Sequence, residues 1–160
     1  FFPSYTASLG SNNLPTEKKT GIVHGDYSLT NVMIGKSDPN VIAILDWELS
    51  TLGDPCADFN YHCLQYTMNP KLADKEYCKQ QGIPVIDDYV KMYSEKIDID
   101  LTEEWDLYTA YNLFKLAGIL QGILGRVRDG TAAHENAAER ASGVRNLSDT
   151  AWDLVEKNFL

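Results

Sequence analysis

The chain has 160 residues, 44% of them hydrophobic and 11% aromatic, which is enough for one domain with a buried core. A formal charge of −9 and a pI near 4.7 argue against nucleic acid or an anionic membrane surface as partner, since both demand clustered Lys and Arg. The three cysteines lack C-x-x-C spacing, which argues against a zinc site or a disulfide framework and for a reducing, intracellular setting, and no apolar run reaches transmembrane length.

Residues 1–20 fit no sustained period and read as a lead-in segment, without the basic and apolar regions of a signal peptide. The first residue is not Met, and we expect something missing upstream. From Gly21 the pattern changes. Ile22-Val23 enters His24 as a short β-branched pair, and Asn31-Val32-Met33-Ile34-Gly35 is a second apolar run closed by Gly. Ser37-Asp38-Pro39-Asn40 is a turn signal. Val41 to Leu45 is apolar without alternation, which predicts a strand buried on both faces. Two strands joined across residues 36–40 form a hairpin, and an antiparallel hairpin brings Asn31 at its entry beside Asp46 at its exit.

Leu52-Gly53-Asp54-Pro55 reads as a break, with Pro55 in the first turn of a helix running through Ala57, Phe59, Tyr61, Leu64 and Tyr66 to Asn69-Pro70. A weakly amphipathic segment over 71–81 follows, then a helix over 85–97. Thr102 suits the N-cap of a long, mostly buried helix from Glu103 to about Arg128. Gly118, Gly122 and Gly125 each cost that helix about 1 kcal/mol relative to Ala, so close packing against another backbone is expected there. A last amphipathic helix runs from about Asn136 to Lys157. The order predicts an α+β fold, mostly helical, with a small β element first.

The chemistry concentrates in His24-Gly25-Asp26-Tyr27-Ser28-Leu29-Thr30-Asn31 and in Asp46. An Asp five positions before an Asn, followed by a strand that delivers a second Asp, is a phosphoryl-transfer spacing. Asp26 in a tight turn can accept a hydroxyl proton and orient the attacking oxygen; the same triplet also reads as a plain turn. Asn31 offers a neutral oxygen that suits Mg²⁺, or caps a strand. Asp46, directly after five apolar residues, would be costly to bury without a cation; backbone capping is the other reading.

These residues resemble the aminoglycoside phosphotransferase and choline kinase-like family, relatives of protein kinases, in which the loop is H-G-D-x-x-x-x-N and the metal Asp opens D-[WF]-[EG]. The strings VIAILDWELSTLGDPCADFNYHCLQY and WDLYTAYNLFKLAGILQGILGR look like the phosphotransferase domain fused to some acyl-CoA dehydrogenases. The resemblance runs from about Leu14 to the C-terminus. It implies Asp26 as catalytic base, His24 as support of the catalytic loop, Asn31 and Asp46 as Mg²⁺ ligands, and Asp58 as the acid that braces the loop. Glu48 could reach a water near the metal, or be a solvated loop acid. Trp105, Tyr108, Tyr111 and Gln121 are acceptor-site candidates, though a core stripe explains most of them. Arg126 and Arg128 suit either an anionic substrate or the helix dipole.

The same resemblance implies an N-terminal nucleotide lobe, and no Gly-rich loop or strand Lys precedes Gly21. The expected organisation is therefore a lead-in over 1–20 and the C-terminal lobe of a kinase-like fold over 21–160. Within that lobe the catalytic loop spans 24–31, the metal loop 46–54 and a helical subdomain 55–160. The expected function is an ATP- and Mg²⁺-dependent phosphotransferase acting on a small-molecule hydroxyl, with a hydroxylated acyl-type acceptor implied by the resemblance. Without its other lobe the chain is expected to be inactive. A binding or scaffold module that keeps the fold without turnover is the alternative, and phosphoester hydrolysis would need more metal ligands than these two.

Overall fold

Short strands come first and helices follow, in the order the apolar runs dictate. The computed structural model describes residues 19–131, 137–140 and 142–159. The lead-in segment before Lys19, Asn136 at the expected start of the last helix, and the final residue lie outside them. The chain divides into two compact units that meet in sequence at Trp105 and Asp106.

In the first unit, β1 (Gly21–Val23) pairs antiparallel with β4 (Thr51–Gly53), and β2 (Val32–Ile34) with β3 (Val41–Ile44). In the hairpin, Val32 faces Ile44 and the register slips between Met33 and Ile34. Gly35 is obligatory at its turn, because a Cβ there would stand 2.5 Å from the Asp38 carbonyl oxygen. The expectation of a strand buried on both faces does not hold: Val41 is 57% and Ile42 63% exposed. Among the described residues this ribbon has no third strand, so continuous apolarity here does not produce burial. The strand Thr51–Gly53 stands where a chain break was expected; three residues ending in Gly carry no readable period, and Gly53 faces Gly21 across the ladder.

Pro55 opens α1 (Pro55–Cys63), whose N-cap Asp54 accepts from the Cys56 amide at 2.8 Å. The expected single helix breaks at Leu64 and resumes as α2 (Gln65–Met68). The segment over 71–81 is likewise split, into α3 (Pro70–Ala73) and α4 (Lys75–Gln80), by Asp74, which caps α4. The unit closes with α5 (Ile86–Ile97). Its buried apolar residues are Cys56, Phe59, Cys63, Leu64, Cys78, Val90 and Leu101.

The second unit holds most of α6 (Trp105–Arg128), then α7 (Ala137–Arg140) and α8 (Val144–Phe159). Thr102 does not cap α6. Its amide and hydroxyl both donate to Asp100, which holds 102–104 as a turn and starts the helix at Trp105. Burial along α6 stops at Ala117. Beyond it the expected backbone packing at glycine is absent: among the described residues nothing lies within 4 Å of a Cβ built at Gly118 or Gly125, and only the Arg126 guanidinium approaches Gly122. Among the described residues no helix is long and apolar enough to cross a membrane.

Candidate active site

The segment from His24 to Asn31 is tied to α1 by one carboxylate. Asp58 accepts from the His24 amide at 2.6 Å through Oδ2 and from the Gly25 amide at 3.0 Å through Oδ1. Both donors sit at a sharp bend. Gly25 has φ +85°, and a Cβ there would lie 2.6 Å from the Leu49 carbonyl oxygen, so only glycine fits.

His24, 2% exposed, joins the two halves of the site. Its Nδ1 receives the Asp26 amide at 3.3 Å, which leaves Nε2–H to donate to the Leu45 carbonyl at 2.7 Å. One imidazole therefore fixes the backbone of Asp26 and the strand end before Asp46. The Trp47 ring stands 4.8 Å from that imidazole, and the Trp47 indole N–H donates to the Ile44 carbonyl at 2.8 Å.

Asn31 closes the loop. Its side-chain amide donates to the Asp26 carbonyl at 3.0 Å and to the Asp26 carboxylate at 3.3 Å, leaving Oδ1 for another partner. Across the hairpin, the Leu45 amide donates to the Asn31 carbonyl at 2.8 Å, which sets Asp46 one residue beyond the partner of Asn31. Asp46 is exposed, not buried, so the desolvation argument for a cation does not apply to it. Asp46 adopts the left-handed conformation at φ 65°, ψ 54°, which Asp tolerates better than most side chains, and it makes no capping hydrogen bond, so its carboxylate is held at the surface beyond the strand end. Two hard oxygen donors, one an anion and one neutral, suit Mg²⁺, which keeps several waters or phosphate oxygens. Among the described residues no group of three or more His, Cys, Asp and Glu could hold a metal ion.

The structure adds Tyr61, which the sequence reading used only as an apolar position. It lies three residues, about one turn, after Asp58 on α1 and is hydrogen-bonded to the Asp26 carboxylate. Burial first, then the Asp26 charge and hydrogen bond, push its phenol up to about 12, so the hydroxyl stays a donor. Beside it, burial holds His62 below the ordinary imidazole value, and the Tyr89 hydroxyl meets His62 Nε2 at 3.2 Å.

Glu48 lies exposed in the 3₁₀ turn after Asp46. Trp105 is half-buried with its ring 5.9 Å from that of Phe59, and its carbonyl accepts from Asn60 at 3.4 Å. Tyr108 is buried, while Tyr111 and Gln121 are exposed, all three on the part of α6 that belongs to the second unit. Arg128 pairs with its exposed neighbour Asp129 at 3.0 Å.

Comparison with known proteins points one way. The phosphotransferase enzyme family model, APH, matches residues 11–108. Among curated proteins, acyl-CoA dehydrogenase family member 10 of Mus musculus is 36% identical over 151 residues, covering 91% of this chain and 14% of that protein. Acyl-CoA dehydrogenase family member 11 of Homo sapiens is 32% identical over 152 residues, covering 92% of this chain and 20% of that protein. The chain thus spans a fifth or less of the length of these relatives. A crystal structure of a "putative aminoglycoside phosphotransferase" from Ralstonia eutropha JMP134 superposes with a TM-score of 0.81 at 35% identity, over 98% of this chain and 50% of that one.

Proposed function

The chain belongs to the phosphotransferase enzyme family, and from its site we propose that it is the acceptor-activating, metal-holding half of an ATP- and Mg²⁺-dependent kinase for a substrate hydroxyl. The observation that carries this reading is the double anchorage of His24. Its amide is fixed by Asp58 and its ring binds both the Asp26 amide and the Leu45 carbonyl, so the base and the metal ligands share one rigid frame.

In this reading Asp26 is the base. Its carboxylate accepts the acceptor's hydroxyl proton as the acceptor oxygen bonds to the γ-phosphorus and the bond from that phosphorus to the β,γ-bridging oxygen breaks, releasing ADP. Asn31 and Tyr61 hold the carboxylate in place by donating to it. When bound at Asn31 and Asp46, Mg²⁺ neutralises phosphate charge that this acidic chain does not balance itself. His24 and Asp58 position the loop and touch no substrate.

Two finer points belong to the same proposal. The nucleotide lobe is supplied by a further part of a longer protein. Support comes from the match to half of the solved relative and from the apolar side chains left exposed on both strand pairs, Ile22, Ile34, Ile42 and Leu52 among them. The acceptor is a hydroxylated acyl-type molecule, a reading supported by the names of the curated relatives. The three buried free cysteines support an intracellular setting.

The test is Mg²⁺-dependent ATP turnover by the full-length protein across a panel of hydroxylated acyl compounds. Turnover that falls about 10²–10⁴-fold in Asp26→Asn is expected. No Mg²⁺-dependent turnover, with nucleotide affinity unchanged in Asp46→Ala, would overturn the proposal.

A further inference from the structure

Within the first unit a cleft of about 500 Å³ opens between the catalytic loop and the helices that follow, lined by Tyr27, Phe59, Tyr89, Met92, Tyr93, Glu95 and Lys96. Its volume falls in the range of small-molecule sites. Its walls are aromatic and rigid: Phe59 and Tyr93 stack at 3.8 Å and 11°, Tyr89 meets the edge of Phe59 at 5.2 Å, and Tyr27 stands 5.3 Å from His62. Met92 on its wall is 55% exposed, an apolar side chain on a surface concavity.

From the volume, the aromatic walls and the adjoining catalytic loop, we infer that this cleft seats the body of the acceptor alcohol, and that this body is an uncharged hydrocarbon chain or ring. The inference rests on the kinase reading for the word acceptor, and on the cleft alone for the chemistry. Two features select the class. Tyr27 is the residue directly after Asp26, so one end of the cleft is built by the catalytic loop itself. The lining carries one carboxylate, Glu95, offset by its neighbour Lys96, so a polycationic amino sugar would find too few anions there to replace its hydration, whereas apolar surface is gained from every wall. Burial pushes the Tyr89 and Tyr93 phenols up to about 12, which keeps those walls uncharged.

The three methionines allow a direct test, because Met92 lines the cleft while Met33 lies on the β2–β3 hairpin. The full chain is labelled with ¹³C at the methionine methyls and titrated with octan-1-ol, 3-phenylpropan-1-ol and kanamycin. Both alcohols are expected to shift the Met92 methyl saturably and to give intermolecular NOEs to it, with Met33 unmoved and kanamycin silent. Tyr93→Ala is expected to weaken the response at least about fivefold, in line with the loss of a stacked aromatic wall. The NOEs in the unsubstituted chain decide the matter should that variant not fold. The Met92 response is also expected to survive Asp26→Asn, so loss of phosphoryl transfer and loss of the cleft ligand are read separately. A Met92 methyl unmoved by either alcohol, moved equally by kanamycin, or silenced by Asp26→Asn overturns the inference.

Discussion

Replacing Asp58 should cost this chain a large part of the anchorage of the bend at His24 and Gly25. The side chain accepts from two consecutive amides, His24 at 2.6 Å and Gly25 at 3.0 Å, beside a ring that is 2% exposed. Asp58→Ala leaves both N–H groups without that acceptor, and an unsatisfied donor costs roughly 1–3 kcal/mol. Asp58 itself is half-buried, so water recovers part of the loss, and the sum settles near 3 kcal/mol. With a urea slope of about 2 kcal/mol/M, the unfolding midpoint should fall by about 1.5 M at unchanged slope. Asp58→Asn keeps one oxygen acceptor, and its midpoint should fall by about half as much. Circular dichroism follows the transition, and amide hydrogen exchange at His24 and Gly25 reports whether the loss is local. A midpoint shift in Asp58→Ala worth less than about 0.5 kcal/mol, the size of an ordinary surface substitution, would refute the reasoning.

Gly25→Ala meets both a left-handed backbone and the Leu49 carbonyl oxygen, and should destabilise by about 2–4 kcal/mol in thermal unfolding; a neutral outcome would mean the bend is not as described. Ile42→Thr, at a position 63% exposed, should change the stability of this chain by less than about 0.5 kcal/mol, whereas in the full-length protein it should destabilise by more than 1 kcal/mol if the nucleotide lobe covers the hairpin. The phenols of Tyr61, Tyr89 and Tyr93 stand near 12 folded against an ordinary 10.0, so between those values the folded chain holds more protons than the unfolded one. Stability is then full below pH 10 and declines as pH rises toward 12, and phenolate absorbance should lag behind that of free tyrosine until the chain unfolds. If the full-length protein carries the proposed kinase activity, Tyr61→Phe removes one donor to Asp26 and should lower that kcat by about three- to tenfold while leaving KM for ATP unchanged, since a single neutral hydrogen bond is worth about 0.5–1.5 kcal/mol.

The loop and the hairpin were legible because their signals are local. Spacing from Asp26 to Asn31, a turn signal over Ser37 to Asn40 and the apolar run into Asp46 together fix a register that brings Asn31 beside the strand end. What escaped depends on partners distant in sequence. The strand Thr51–Gly53 exists because β1 offers it a ladder, not because its residues carry a period. Apolar continuity from Val41 to Leu45 predicts burial, but only a layer on each face can provide that, and among the described residues β2 and β3 form a sheet of two strands with no third. The left-handed turn at Asp46 has no glycine to announce it. Tyr61 looked like one more apolar position on a helix, and its hydroxyl acquires meaning only once α1 lies against the catalytic loop. Thr102 shows the limit of capping rules: Asp100, two residues back, accepts from both its amide and its hydroxyl, which holds the segment as a turn in place of a helix start.

The central claim is that Asn31 and Asp46 together hold one divalent cation beside Asp26. Paramagnetic broadening measures this most directly, with Mn²⁺ standing in for Mg²⁺ in the presence of ATP and ¹⁵N spectra recorded on the chain. At substoichiometric Mn²⁺ the Asn31 side-chain amide and the backbone amides of Asp46 and Trp47 should broaden first, Lys75 on α4 should remain sharp, and Asp46→Ala should abolish the selectivity. Broadening that is uniform over the acidic surface, or that persists unchanged in Asp46→Ala, would contradict it.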